Sequence, residues 1–105
     1  MRDQDLVRLL QKDPDSGLQA ALRGYGPLIK AVLVRILPRD PRDVEECMAD
    51  VLVALWRCAG QLERQKTPLR PWLIVTARNC GIDRYHSLRR HAALSLDAEL
   101  GQTLG

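Results

Sequence analysis

Between residues 41 and 57, charged and apolar side chains recur at intervals that suit binding to another protein. If this segment is helical, spacings of three and four residues place five side chains in one outward stripe: Asp43, Glu46, Asp50, Val53 and Arg57. The positive end of the helix dipole stabilises acidic side chains near a helix N-terminus, and this alone accounts for Asp43 and Glu46. Asp50 lies too deep in the helix for that role, and folding does not require an exposed Val53. We therefore interpret this docking stripe as a surface for a partner helix that carries positive charge.

A block of basic residues follows the docking stripe. Residues 64–91 contain seven Lys and Arg against one Asp, a net charge of +6, whereas residues 1–63 carry −1 and residues 92–105 carry −2. Clustered Lys and Arg bind nucleic acids because they displace the counterions condensed on the phosphates. The alternative interpretation is a solvated helix face without a partner.

The cysteines and histidines do not have the spacing of a disulfide or a metal site. Three cysteines, an odd number, favour reduced thiols. Cys47 and Cys58 on one helix would lie about 16 Å apart, beyond the reach of a disulfide. His86 and His91 would point about 140° apart, and Cys80 would lie too far from His91 to share a metal ion with it. We expect core or surface roles for all five residues, and no metal or other cofactor.

The elements that position these residues are predicted to be helices. Leucines and a valine beside basic residues predict a short amphipathic helix from Asp5 to Lys12. Asp13-Pro14-Asp15 ends it, because a residue before proline is driven out of helical geometry. Asp15 or Ser16 is expected to cap a longer helix that runs to about Leu37. Within that helix, Gly24 and the Gly26-Pro27 pair predict a bend or an interruption.

A turn at Pro38-Arg39-Asp40-Pro41 precedes the third helix, with Asp40 as its N-cap and Pro41 at its first position. Apolar residues from Val44 to Leu55 recur at helical spacing and form one continuous face. Residues 60–67 are polar and mixed in charge, which predicts a connecting loop. A last long helix starts near Thr67 or Pro68, carries the basic block and ends near Arg89-Arg90-His91. The tail from Ala92 to Gly105 shows no strong helical register.

Composition and length agree with one small helical domain. The 105 residues favour a single core, and 46% of them are apolar without any Phe. No apolar run approaches the roughly 20 residues that cross a bilayer, and the acidic N-terminus is unlike a secretory signal, so we expect the cytoplasm. A His–carboxylate pair, an activated nucleophile and a glycine-rich phosphate loop are missing from the sequence, which disfavours an enzyme. The predicted fold class is all-α, a compact bundle of about four helices.

Four segments, in order, resemble region 2 of the extracytoplasmic-function sigma factors of the sigma-70 family. The segment from Asp43 to Arg57, with its acids followed by an apolar run and Leu-Trp-Arg, is similar to the core-binding helix of that family. Leu69-Arg70-Pro71-Trp72-Leu73 resembles its Leu-x-x-Trp-Leu motif. Residues 77–79, Ala-Arg-Asn, and residues 82–84, Ile-Asp-Arg, follow at the family's spacing. The resemblance extends from about Asp5 to about Leu96.

The resemblance implies two macromolecular partners. The acidic helix would dock on the clamp helices in the largest subunit of RNA polymerase, through the docking stripe. Residues 61–67 would form a pocket with the start of the last helix, for a base flipped out of the promoter −10 element. The last helix would hold the melted strand, since Arg78, Tyr85 and Arg89 lie on one side of it and suit an unstacked base and its backbone. The residues expected to contact DNA are Gln61, Leu62, Arg64, Lys66, Thr67, Arg78, Asn79, Arg84, Tyr85, Arg89 and Arg90.

The resemblance also sets the expected domain organisation and regulation. Residues 1–91 would form the region 2 domain, and residues 92–105 a linker toward a C-terminal region 4 domain that this chain does not include. Members of the family are often held inactive by an anti-sigma factor, and they associate with the bacterial nucleoid when active. Two rival functions are a generic helical DNA-binding regulator, which would not need the docking stripe, and a helical protein-interaction adaptor with a merely solvated basic block.

Overall fold

The computed structural model consists of four α-helices that pack into one bundle, which confirms the predicted all-α fold. It describes the backbone of residues 1–37 and 40–104, and the side chains of residues 1–37 and 40–96. The helices are α1, Asp3–Lys12; α2, Pro14–Ile36; α3, Pro41–Gln65; and α4, Leu69–Leu104. No strand occurs within the described backbone.

A single residue, Asp13, separates α1 from α2. Its carboxylate accepts a hydrogen bond from the Ser16 backbone N–H at 3.4 Å and another from the Ser16 hydroxyl at 2.7 Å. These hydrogen bonds lower the pKa of Asp13. The prediction that Asp15 or Ser16 caps α2 is therefore wrong. Asp13 is the N-cap because Pro14, with its fixed φ and missing N–H, already suits the first helical position.

Gly17 lets α1 and α2 approach closely after this tight corner. It is buried, and a Cβ atom at its position would lie 2.6 Å from the Leu10 Cα and 2.8 Å from the Leu10 nitrogen. Backbone atoms cannot move aside as a flexible side chain can, so only glycine fits the position. The corner thus depends on the absence of one methyl group.

Gly17→Ala is expected to destabilise the protein by about 1–3 kcal/mol, because the methyl group forces α1 away from α2. Urea or thermal unfolding followed by circular dichroism measures the loss. Gly24→Ala is the matched control, since Gly24 is exposed on the same helix and a Cβ there meets nothing within 4 Å. That change should stabilise the helix by about 1 kcal/mol. Equal effects of the two substitutions would contradict the close packing described for Gly17.

The helix α2 runs without interruption through Pro27. The sequence predicts a bend or an interruption near Gly24 and Gly26-Pro27, and the continuous helix excludes the interruption. Burial of Gly26 and Ile29 on either side of the proline holds this turn against the rest of the bundle. Tertiary packing of this kind overrides the loss of one backbone hydrogen bond.

Asp40 and Pro41 start α3 as the sequence predicts. The Asp40 carboxylate accepts a hydrogen bond from the Arg42 backbone N–H at 2.9 Å, and Pro41 is the first helical residue. Both predictions are confirmed, while the other half of the predicted turn, Pro38 and Arg39, lies outside the described residues. The helix α3 packs against all three other helices. It contributes six buried residues to the core: Val44, Cys47, Val51, Leu55, Ala59 and Leu62.

The end of α3 differs from the prediction of a loop over residues 60–67. The helix continues to Gln65, and Lys66 then adopts the left-handed conformation, with φ 52° and ψ 39°. The Thr67 N–H donates to the Leu62 carbonyl at 3.1 Å and the Lys66 N–H to the Glu63 carbonyl at 3.2 Å, the hydrogen bonds of a Schellman motif. Most helices that end in this way have glycine in the left-handed position, so a lysine there does not indicate the end of α3. The connection to α4 is only residues 66–68.

The helix α4 is much longer than predicted. It spans 36 residues, about 54 Å at 1.5 Å per residue, in a molecule whose longest extent is 60 Å. Residues 88–96 are all exposed, so this stretch of the helix adds no buried residue to the core. The prediction that residues 92–105 lack a helical register is wrong as far as Leu104. Their role as a linker, and a domain boundary at residue 91, stay predictions.

Within the described residues, none of the helices combines the length and the apolarity that a bilayer-spanning segment needs.

Candidate protein and nucleic-acid interfaces

The outer side of α3 presents most of the docking stripe to solvent. Glu46, Asp50, Val53 and Arg57 are exposed. Asp43, near the N-terminus of the helix, is partly buried, with 14% of its side chain exposed. The stripe is therefore open along most of its length, and its first residue turns toward α4.

Trp56 also belongs to this surface. It is 43% exposed and lies beside Val53, which is 37% exposed. Because Trp56 follows Val53 by three positions, the same helical spacing that defined the docking stripe could have included it. A half-exposed Trp beside charged residues is the composition typical of interface hot spots.

One side of α4 displays the residues predicted to bind single-stranded DNA. We define the DNA face as the three exposed side chains Arg78, Tyr85 and Arg89, while Asn79, also exposed, points about 100° away from Arg78 around the helix. The Arg89 guanidinium lies 5.8 Å from the centroid of the Tyr85 ring, and an Arg89 Nη1–H points to the Tyr85 hydroxyl oxygen at 3.5 Å. This cation–π contact holds a cation beside an aromatic plane before any ligand is present. Arg90 is exposed on the same side of α4 as Asn79, about 20° from it around the helix.

Arg84, which is predicted to contact phosphates, pairs instead with two residues of the docking stripe. Its Nε and Nη2 donate to Asp43 Oδ1 at 3.1 and 2.8 Å, and Nη2 also donates to Glu46 Oε2. The hydrogen bonds to Asp43 raise the pKa of Arg84 further, so the group is charged. In this conformation its guanidinium is not free for DNA, and the two predicted surfaces meet at this point.

The short connection between α3 and α4 lines a cleft of about 370 Å³. Lys66 and Thr67 of the connection and Leu69 at the start of α4 line it on one side. The opposite wall is α1, which contributes Gln4 and Arg8 and which the sequence did not suggest. The cleft is large enough for a nucleobase and offers amide, hydroxyl and charged groups at its rim.

The other residues predicted in the loop lie on the last turns of α3. Gln61 and Arg64 are exposed there, while Leu62 is 5% exposed and belongs to the core. Leu62 is therefore a core residue that also lines the cleft, and it is not a surface contact for DNA. Glu63 accepts a hydrogen bond from Arg8 Nε at 2.8 Å, which ties α1 to the end of α3.

Cys47 and Cys80 face each other between α3 and α4. The Cys47 Sγ lies 3.9 Å from the Cys80 carbonyl oxygen, and the Cys80 Sγ lies 3.8 Å from the Cys47 carbonyl oxygen. Burial raises the pKa of Cys47 to about 12 and also raises the pKa of Cys80. Both thiols are thus neutral at physiological pH, and all three cysteines are free. The part of the chain that the structure describes contains no cluster of three or more potential metal ligands.

A comparison with protein-family models assigns the chain. The model of sigma-70 region 2 matches residues 21–91, roughly two thirds of the sequence. No significant match was found among curated proteins or among solved structures. Region 2 is a non-catalytic domain of sigma factors, which act in transcription initiation with core RNA polymerase and promoter DNA as partners. With this match and an all-α bundle that displays acidic and basic surfaces on adjacent helices, the chain belongs to the sigma-70 region 2 family.

Proposed function

We propose that this chain is the region 2 domain of an extracytoplasmic-function sigma factor, which docks on core RNA polymerase through α3 and opens the promoter −10 element through α4. The observation that carries the proposal is the side-by-side exposure of two chemically opposite surfaces. The docking stripe is acidic and apolar, and the DNA face is cationic and aromatic. A DNA-binding regulator alone has no use for the first surface, and an adaptor has none for the second.

Polymerase binding would rest on the exposed part of the docking stripe together with Trp56. Asp50 and Glu46 offer carboxylates to a basic helix. Val53 and Trp56 supply apolar surface that is buried on binding. Apolar anchors of this kind contribute affinity, and the surrounding charges select the partner and its orientation. The clamp helices of the largest polymerase subunit are the proposed partner.

DNA opening would require no covalent chemistry. The Tyr85 ring can stack on an unpaired base, and the guanidiniums of Arg78 and Arg89 can contact the backbone on either side of it. The cleft beside Lys66 and Thr67 can take a flipped base, whose edge would meet the polar groups at the rim. Because these contacts need an unpaired strand, their free energy favours the open promoter over the duplex.

The experiment that tests this function compares single-stranded and double-stranded −10 DNA. We expect a complex of the chain with bacterial core RNA polymerase to bind a labelled non-template strand at least about 10-fold more tightly than the same sequence as a duplex, in a fluorescence anisotropy titration. A random single strand of equal length is the control for sequence preference. Equal affinity for all three DNAs would contradict a role in −10 recognition.

A further inference from the structure

Arg84 lies where the docking stripe and the basic helix meet. Its planar guanidinium spans two carboxylates one turn apart on α3, with both Nε and Nη2 on Asp43 and Nη2 also on Glu46. The same two donors can bind a phosphate through two parallel N–H···O bonds. The Arg84 guanidinium therefore binds carboxylates of the protein with the same N–H donors that would bind a phosphate of DNA.

Among the side chains that the structure describes, no other charged partner of the carboxylates competes with Arg84 at this contact. The side chains next to it along the seam between α3 and α4 are Cys47 and Cys80, both uncharged because burial raises their pKa. Among the described side chains, Asp43 and Glu46 form ion pairs with Arg84 alone. Arg84 thus neutralises one of the two negative charges, and the three side chains together keep one net negative charge.

The contact is accessible enough to be exchanged for another partner. The Arg84 side chain is 37% exposed and that of Glu46 is 57% exposed. Ion pairs in contact with water contribute little net stability, because each partner gains almost as much from solvation or from a new counter-charge. A strongly charged macromolecule that approaches either side can therefore compete for its half of the pair.

We propose that Arg84 is a switch that couples the two binding surfaces: Asp43 and Glu46 hold it in the free protein, and docking on the polymerase releases it to a phosphate of promoter DNA. This inference rests on the proposed function. Basic residues of the polymerase would take over the two carboxylates, so the guanidinium would lose its internal partners as DNA arrives. Since linkage is reciprocal, DNA binding to Arg84 would strengthen polymerase docking by the same factor.

The coupling is tested by measuring Arg84→Gln in two states of the chain. We expect the loss of affinity for −10 DNA to be about 10-fold in the polymerase complex and at least several-fold smaller in the free chain, where the residue is already occupied. The slope of log affinity against log salt concentration should fall by about one unit in the polymerase complex. Equal losses in both states, or no loss in either, would overturn the proposal.

A second variant removes the negative charges that hold Arg84 in the free chain. Asp43→Asn/Glu46→Gln should raise the affinity of the free chain for DNA by about 5- to 10-fold, because it releases Arg84. Removal of two acids also weakens general repulsion, so Glu45→Gln/Asp5→Asn, which removes two exposed acids elsewhere, serves as the charge-matched control. The extra gain should vanish when Arg84→Gln is added to the double variant. A gain that matches the control, or that survives without Arg84, would refute the switch.

These results distinguish a failure of the Arg84 switch from a failure of the proposed function. If the unmodified polymerase complex fails to bind −10 DNA, the proposed function itself is wrong. If it binds DNA normally but the Arg84 variants behave alike in both states, only the switch is wrong.

Discussion

Asp50→Arg is expected to abolish binding of the chain to core RNA polymerase. Asp50 is exposed near the middle of the docking stripe, and unlike Asp43 and Glu46 it has no ion pair among the described residues. An arginine there would place like charges against a basic partner helix, which costs several kcal/mol at an interface. We expect the dissociation constant to rise at least about 100-fold, measured by biolayer interferometry with immobilised core enzyme.

The matched control is Glu45→Arg, the same change of charge on the same helix. Glu45 is exposed and points about 140° away from Asp50 around the helix axis. It should leave polymerase binding within a few-fold of the unmodified chain. Both variants should keep the helical circular dichroism spectrum, since exposed substitutions usually change stability by less than about 0.5 kcal/mol. If Asp50→Arg binds as well as Glu45→Arg, α3 does not dock through this stripe.

Arg78→Ala/Arg89→Ala is expected to weaken binding of the polymerase complex to the −10 single strand by about 30-fold. Each exposed guanidinium is assigned one backbone phosphate, and loss of such a contact costs about 1 kcal/mol or more. Arg89 also holds its charge 5.8 Å from the Tyr85 ring, so its removal weakens the stacking site as well. The salt dependence should become shallower by about 0.7 unit for each lost phosphate contact.

Arg23→Ala/Arg35→Ala provides the comparison, because it removes two exposed arginines from α2 and so changes the net charge equally. This variant should keep the salt slope of the unmodified complex. The assignment of the DNA face is contradicted if the two double variants lose affinity to the same extent, because the effect would then reflect net charge alone.

The periodicity of the sequence was sufficient to predict the bundle but not the ends of its helices. Apolar residues at helical spacing identify the α3 face that contains Val51 and Leu55, and the Asp40-Pro41 pair marks its start. Its end was misplaced because Lys66 occupies the left-handed position that glycine usually fills. The corner between α1 and α2 depends on Gly17, whose role is visible only when the Leu10 backbone is placed against it.

The candidate surfaces were predictable as patterns on single helices, whereas their mutual contacts were not. Spacing along α3 and α4 is sufficient to group Asp50 with Val53, or Tyr85 with Arg89, because residues on one helix have fixed relative directions. The pairing of Arg84 with Asp43 depends on the register between two helices, which no local pattern encodes. The α1 wall of the cleft beside Thr67 was missed for the same reason.

The central claim is that α3 and α4 bind two different macromolecules at the same time. It is tested most directly by titrating the −10 single strand into a preformed complex of core polymerase and fluorescently labelled chain, with the mass of the labelled species followed by analytical ultracentrifugation. We predict a ternary complex in which the strand adds to the polymerase complex without releasing the chain. Displacement of the labelled chain from the polymerase by the strand would contradict the account, because the two surfaces would then serve one and the same partner.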